Sequence, residues 1–93
     1  MNMLKNLIKN PDTLILDVRS NREFAAGHIP GAKNIPVEEI PYKVEELKAI
    51  KNPIVVYCLS GGRSGMAVSI LKQNGVGEVY NGGGLGDMQY LLN

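Results

Sequence analysis

The residues best suited to chemistry are a cysteine and the short polar loop that follows it. The chain has one cysteine, Cys58, and the next residues are Leu59, Ser60, Gly61, Gly62, Arg63 and Ser64. Successive backbone N–H groups in such a loop can converge on one point and bind an anion, helped by the positive end of a following helix. A helix N-terminus and a nearby arginine also lower a thiol pKa, so that a nucleophilic thiolate persists at neutral pH. The segment therefore predicts a thiolate nucleophile in an anion-binding loop, with Arg63 as its cation.

The alternative is that Cys58 is only a small buried core residue, since free cysteine is among the most buried residue types. The loop composition favours the functional interpretation. A core cysteine needs neither two glycines, which let the backbone approach the sulfur closely, nor an arginine and a helix start immediately afterwards.

Composition excludes several other classes of protein. The 93 residues carry a formal net charge of +1, which provides no broad field for a polyanion, so we expect no nucleic-acid partner. A single cysteine cannot form an intramolecular disulfide or a multi-cysteine metal site, which predicts a reducing compartment and no metal. The first ten residues lack the apolar region of a secretory signal, and no apolar stretch is long enough to span a bilayer. We therefore expect one cytoplasmic domain over residues 1–93, with no membrane partner.

Short apolar runs alternate with amphipathic segments along the chain. The runs predict strands at 13–16, 32–35, 54–57 and 78–80, and the periodic segments predict helices near 4–8, 20–26, 44–50, 64–74 and 85–92. Ser20 and Glu23 have capping-box spacing at the start of the second helix. Met66 and Met88 are expected to fill core gaps on apolar helix faces, and the glycines at 82–84 are expected to form a flexible joint.

This alternation predicts an α/β fold, in which a parallel sheet is covered by helices on both faces. Ligands bind such sheets beyond the carboxyl ends of the strands. Asp17 and Cys58 both follow predicted strands, so we expect them at the same edge of the molecule.

Three blocks of the sequence resemble the single-domain rhodaneses, in the order and spacing of that family. They are Asp17-Val18-Arg19 to Glu23-Phe24, Gly27 to Ala32, and Tyr57-Cys58 to Ser64. The resemblance implies a rhodanese-like fold, with a parallel sheet that here would have four to five strands because little sequence precedes Leu4. The family commonly has a tryptophan where this chain has Met88.

The resemblance also implies an activity, that of a thiosulfate sulfurtransferase. Cys58 looks like the catalytic nucleophile that carries a persulfide, and the substrate-binding loop would be Leu59, Ser60, Gly61, Gly62, Arg63 and Ser64. Supporting roles fall to Asp17, Arg19 and His28. The partners would be a small-molecule sulfur donor, a thiol or cyanide acceptor, or a sulfur-relay protein, and no metal or organic cofactor is required.

The sequence leaves alternatives open for the roles of two residues and for the activity of the fold. Asp17 could position the site, or could have a structural role by holding Arg19 or the amides of a loop. His28 is expected to be mainly a hydrogen bonder in its turn. The fold is shared with phosphatases and arsenate reductases, but those relatives use a Cys-x5-Arg loop, which is one residue longer than the segment from Cys58 to Arg63. A non-enzymatic sulfur-carrier or protein-binding module is the other alternative.

Overall fold

The computed structural model describes residues 2–93, which form alternating strands and helices. The strands are β1 (Leu14–Asp17), β2 (Lys33–Asn34), β3 (Ile54–Cys58) and β4 (Val79–Gly84). The helices are α1 (Met3–Lys9), α2 (Asn21–Ala26), α3 (Val44–Lys48), α4 (Gly62–Gln73) and α5 (Leu85–Leu92), and a 3₁₀ helix covers Val37–Tyr42. The predicted α/β class is confirmed.

All four strands of the sheet are parallel, in the order β2-β1-β3-β4. The sheet therefore has the lower of the two predicted strand numbers within residues 2–93. Strand β3 is central and is buried along its whole length, as expected for a strand with helices on both sides. Because parallel strands end at one edge, Asp17 and Cys58 both lie at the carboxyl edge of the sheet.

Successive side chains of β3 point to opposite faces and enter two separate hydrophobic clusters. Ile54, Val56 and Cys58 pack with α3, α4 and the 3₁₀ helix. Val55 and Tyr57 pack on the other face with α1 and α5. The helices thus cover both faces, and the face that carries the Cys58 side chain is the one against which α4 packs. No helix between residues 2 and 93 is both long and apolar enough to cross a membrane.

The glycines at 82–84 belong to β4, so the prediction of a flexible joint was wrong. Val56 is opposite Asn81 but Tyr57 is opposite Gly83, which makes Gly82 the extra residue of a β-bulge. A Cβ at Gly82 would lie 2.7 Å from the sulfur of Met88, and one at Gly84 would overlap the Leu59 carbonyl oxygen. These glycines therefore allow close packing of β4 against α5 and against the cysteine loop.

The two methionines have different surroundings. Met88 is completely buried in the cluster under α5, as predicted. Met66 is 59% exposed on α4, so its predicted core role was wrong. The buried face of α4 is formed instead by Ser64, Ala67, Val68 and Leu71, and Met66 lies outside that stripe.

Candidate active site

The Cys58 sulfur lies at the carboxyl end of β3, at the start of a tight turn into α4. Gly61, the N-cap of α4, has φ +106°, a left-handed conformation that glycine adopts without a steric penalty. This turn directs the Gly61 N–H to the Cys58 Sγ at 3.0 Å. The thiol in turn donates to the Ser64 hydroxyl oxygen at 3.4 Å. The side chain is only 1% exposed, but polar groups of the loop and of α4 contact its sulfur.

These polar contacts outweigh the effect of burial on the thiol. Burial raises the pKa of Cys58, whereas hydrogen bonds from the Ser64 side chain and from the backbone of Ser64, Gly61 and Ser60 lower it. The resulting pKa is about 7, below that of an ordinary thiol. A substantial thiolate fraction at neutral pH follows, which is the property that a cysteine nucleophile needs.

The predicted loop residues differ in how they meet the sulfur. Gly61 and the buried Ser64 contact the sulfur directly. The side chains of Leu59 and Ser60 are exposed, and Leu59 leaves 59% of its surface in solvent, while the Ser60 backbone also hydrogen-bonds the sulfur. Gly62 and Arg63, which the sequence suggested as loop residues, already form the first turn of α4.

Arg63 is held by a carboxylate of another helix. Its Nη1 and Nη2 donate to Glu23 Oε1 and Oε2 at 2.7 and 3.0 Å, a bidentate ion pair. The pKa of Glu23 is lowered to about 2, and the hydrogen bonds from Arg63 make the largest contribution to this shift. Arg63 also attracts the Cys58 thiolate electrostatically. The expected cation is therefore close to the site, but both of its terminal nitrogens donate to Glu23.

Glu23 has a second function that the sequence did predict. Its backbone N–H donates to Ser20 Oγ and its Oε1 accepts from the Ser20 backbone N–H, which completes the capping box of α2. The additional contact with Arg63 has no local signal in the sequence, because the two residues are 40 positions apart.

Asp17 binds Arg19, one of the two roles considered for it. Both Asp17 oxygens accept from the Arg19 side chain, at 2.7 to 3.1 Å, and Oδ1 also accepts from the Arg19 backbone N–H. Arg19 further donates to the Gly27 carbonyl at 2.7 Å and lies over the Tyr57 ring. The pair ties the carboxyl end of β1 to the residue that ends α2.

His28 lies in the turn after α2, where its ring stacks on Phe24 with the centroids 3.6 Å apart. Its Nδ1 is 2.8 Å from the Phe24 carbonyl oxygen and serves as the donor of that hydrogen bond. These contacts fit the structural role expected for this residue.

Asn81, a residue that the sequence did not single out, contacts the site from β4. Its Oδ1 lies 2.7 Å from the Ser64 hydroxyl and 2.9 Å from the Gly83 N–H, which donates to it. Its Nδ2 donates to the Gly61 carbonyl at 3.3 Å. One feature of the sequence could have pointed to this residue, since Asn81 directly precedes the glycine run that contains the bulge.

A cavity of about 260 Å³ lies at the opposite edge of the sheet, between the segments that lead into β3 and β4. Its lining includes Lys48, Lys51 and Glu78, and it is remote from the thiol. Within residues 2–93, no cluster of three His, Cys, Asp or Glu side chains is arranged to hold a metal ion.

Comparison with known proteins identifies the family. The sequence model of the rhodanese-like domain matches residues 1–85. A sulfurtransferase of Allochromatium vinosum is 38% identical over 77 residues, which are 83% of this chain and 71% of that protein. Thiosulfate sulfurtransferase PspE of Escherichia coli is 39% identical over 74 residues, 78% of this chain and 71% of that protein.

The match covers a smaller share of some other relatives. The uncharacterized protein YqhL of Bacillus subtilis is 42% identical over 67 residues, so the match spans about half (52%) of that protein. A tRNA uridine(34) hydroxylase of Buchnera aphidicola is 34% identical, but only 26% of it is covered.

Solved structures share the fold over most of the chain. The human single-domain sulfurtransferase TSTD1 superposes with a TM-score of 0.76 and 28% identity, covering 97% of this chain and 91% of that one. A rhodanese from E. coli, solved with anions, gives a TM-score of 0.73 and 34% identity over 81% of this chain and 89% of that one.

Proposed function

Because the chain belongs to the rhodanese-like domain family, we propose that it is a sulfurtransferase that carries a sulfane sulfur as a persulfide on Cys58. The donor is thiosulfate or a similar small molecule, and the acceptor is a thiol, cyanide or a sulfur-relay protein. A free thiol that must stay reduced suits a cytoplasmic location.

The proposed reaction has two steps, each an exchange at sulfur. The Cys58 thiolate attacks the outer sulfur of thiosulfate, the new S–S bond forms, and sulfite leaves with the electron pair of the broken S–S bond. The acceptor then attacks the outer sulfur of the persulfide, and the Cys58 thiolate leaves. With cyanide as acceptor the product is thiocyanate. The two steps balance without an external oxidant, reductant or metal.

One observation carries this proposal: a buried sulfur that receives the Gly61 N–H at 3.0 Å and whose pKa is about 7. The same backbone donor that stabilises the thiolate can stabilise the terminal sulfur of a persulfide, which is also an anion at neutral pH. The loop is short, since four residues separate Cys58 from Arg63. That length favours a single sulfur over a tetrahedral oxyanion, which argues against phosphatase or arsenate reductase activity.

Arg63 is the proposed contact for the anionic part of the donor. Its side chain is 37% exposed beside the loop, and a guanidinium can donate to two oxygens of a sulfonate-like group. Thiosulfate would compete with Glu23 for the N–H groups of the Arg63 guanidinium. We therefore expect Arg63 to affect the step with thiosulfate more than the step with the acceptor.

A second candidate is a sulfur carrier that transfers only to a partner protein. The exposed Leu59 and Met66, both 59% exposed, favour it because they present apolar surface on the loop and on the first turns of α4. An exposed apolar side chain on the loop that follows the thiol, such as Leu59, is suited to contact with a protein acceptor.

The test is thiocyanate formation from thiosulfate and cyanide. We expect turnover by the native protein and none above background for Cys58→Ser, which keeps the loop but removes the nucleophile. A folded native protein that forms no thiocyanate would refute turnover on small molecules. Transfer of the persulfide to a partner protein under those same conditions would establish the carrier function instead.

A further inference from the structure

Ser64 has one hydroxyl hydrogen and several acceptors that compete for it. Within 3.4 Å of its Oγ lie Asn81 Oδ1 (2.7 Å), the Gly61 carbonyl (3.1 Å), the Gly83 carbonyl (3.4 Å) and the Cys58 sulfur (3.4 Å). A hydroxyl donates once and accepts up to twice. Which acceptor receives the hydrogen decides whether Ser64 supports the thiol or the thiolate of Cys58.

The orientation of the Asn81 amide is fixed by two backbone groups. The Gly83 N–H can only donate, and it lies 2.9 Å from Oδ1. The Gly61 carbonyl can only accept, and it lies 3.3 Å from Nδ2. The amide oxygen must therefore be the atom that faces Ser64, and since that oxygen only accepts, Ser64 must donate to it.

With its hydrogen on Asn81, Ser64 presents a lone pair to Cys58, which matches the protonated S–H as donor. A thiolate needs donors instead. For Ser64 to add its donor to those of the loop backbone, its hydrogen has to rotate from Asn81 to the sulfur, and the 2.7 Å bond to Asn81 is then lost. Asn81 thus opposes the stabilisation of the thiolate by the Ser64 hydroxyl.

We propose that Asn81 is a positioning residue that restrains the Ser64 hydroxyl and so favours the protonated form of Cys58. The proposal rests on the proposed function only in that Cys58 acts as a thiolate. Asn81 need not touch the substrate. Its effect is to keep the thiol partly protonated until an anionic sulfur species needs the Ser64 hydrogen bond.

Several charged side chains lie toward the carboxyl end of β3 and the cysteine loop. They are Asp17 and its partner Arg19 from β1, Arg63 from α4 with Glu23 of α2, and Asp87 of α5, which accepts from the Gly84 N–H at 2.8 Å. All of them are unchanged in a variant of Asn81. A change in the titration of Cys58 in such a variant would therefore report on the hydroxyl and not on a lost charge.

The experiment is a titration of Cys58 by its rate of alkylation with iodoacetamide and by the ultraviolet absorbance of the thiolate. The single cysteine makes both signals specific. We expect Asn81→Ala to move the midpoint by about one pH unit toward acid, since a neutral hydrogen bond and one pKa unit have similar free energies. Asn81→Asp, which retains an acceptor and adds negative charge, should move it toward alkali. The exposed Asn52→Ala is the matched control and should leave it unchanged.

A double-mutant cycle shows whether Asn81 acts through Ser64. Ser64→Ala should move the midpoint toward alkali, because the thiolate loses a donor, and Asn81→Ala should have no further effect in that background. The proposal is overturned if Asn81→Ala leaves the midpoint unchanged, or moves it equally with and without the Ser64 hydroxyl. If Asn81→Ala does not fold, an unchanged or acid-shifted midpoint in Asn81→Asp would overturn it. These titrations use no sulfur donor, so they can fail while sulfur transfer by the native protein succeeds, and the reverse.

Discussion

Two arginine–carboxylate pairs lie at the carboxyl edge of the sheet, and their surroundings differ. The Arg19–Asp17 pair is almost completely buried, with side-chain exposures of 5% and 0%. The Arg63–Glu23 pair is equally short, at 2.7 Å, but its side chains are 37% and 31% exposed. The buried Arg19–Asp17 pair is thus suited to stabilising the fold, and the half-exposed Arg63–Glu23 pair is suited to exchanging its partner.

Burial explains the difference. Removing one member of a buried pair leaves an uncompensated charge in a low-dielectric environment, whereas water replaces the lost partner of an exposed pair. Arg19 also has further fixed contacts, with the Gly27 carbonyl and the Tyr57 ring. Arg63 can release Glu23 to bind an anion at a small cost in stability.

The largest expected effect is on stability, from the buried pair. Asp17→Asn should lower the free energy of unfolding by about 3 to 5 kcal/mol, because Arg19 keeps its charge without a counterion. Glu23→Gln, the same chemical change in the exposed pair, should cost less than about 1 kcal/mol. Urea denaturation of the two variants measures both values, and equal losses would remove the distinction between the pairs.

The next effect is on catalysis, from the exposed pair. Arg63→Ala should lower kcat/KM for thiosulfate by about tenfold or more, as expected when a charged hydrogen bond to the substrate is lost. Arg63→Lys should recover only part of it, because an ammonium cannot donate in a fixed fork. Unchanged kcat/KM in a folded Arg63→Ala protein would show that this pair is merely structural.

A third variant tests how closely the cysteine loop depends on β4. Gly84→Ala should destabilise the protein by about 1 to 3 kcal/mol and displace the loop, because the added Cβ overlaps the Leu59 carbonyl oxygen. Gly86→Ala is the matched control, since a Cβ there meets nothing within 4 Å. Thermal unfolding and Cys58 alkylation should both change in the first variant. Equal behaviour of the two would contradict the close approach.

The smallest expected effect is the pH dependence contributed by Glu23. Its pKa is lowered to about 2 in the folded protein, from 4.5 in the unfolded chain. The stabilisation is therefore complete above pH 4.5 and is lost as the pH falls toward 2. Because the pair is partly exposed to solvent, its contribution to the free energy of unfolding is limited to about 1 kcal/mol. The difference in unfolding free energy between native protein and Glu23→Gln should shrink over this range, and a constant difference would contradict the assigned pKa.

The sequence predicted the strands and the capping box because their signals are local. Continuous apolar runs marked β1 and β3, and the spacing of Ser20 and Glu23 marked the start of α2. The glycines at 82–84 were misinterpreted because a glycine run is typical of a turn, while the need for close packing against Leu59 and Met88 arises only in the folded protein. Long-range contacts had no local signal either, which is why the Glu23–Arg63 pair and the Asn81 contact with Ser64 were not predicted.

Sulfur transfer by this protein requires that Cys58 carry the transferred sulfur. The decisive measurement is the intact mass of the reduced protein after incubation with thiosulfate. We expect a gain of one sulfur atom, its loss on addition of cyanide, and no gain in Cys58→Ser. A folded native protein whose mass does not change, or a gain that persists in Cys58→Ser, would show that Cys58 does not carry the sulfur.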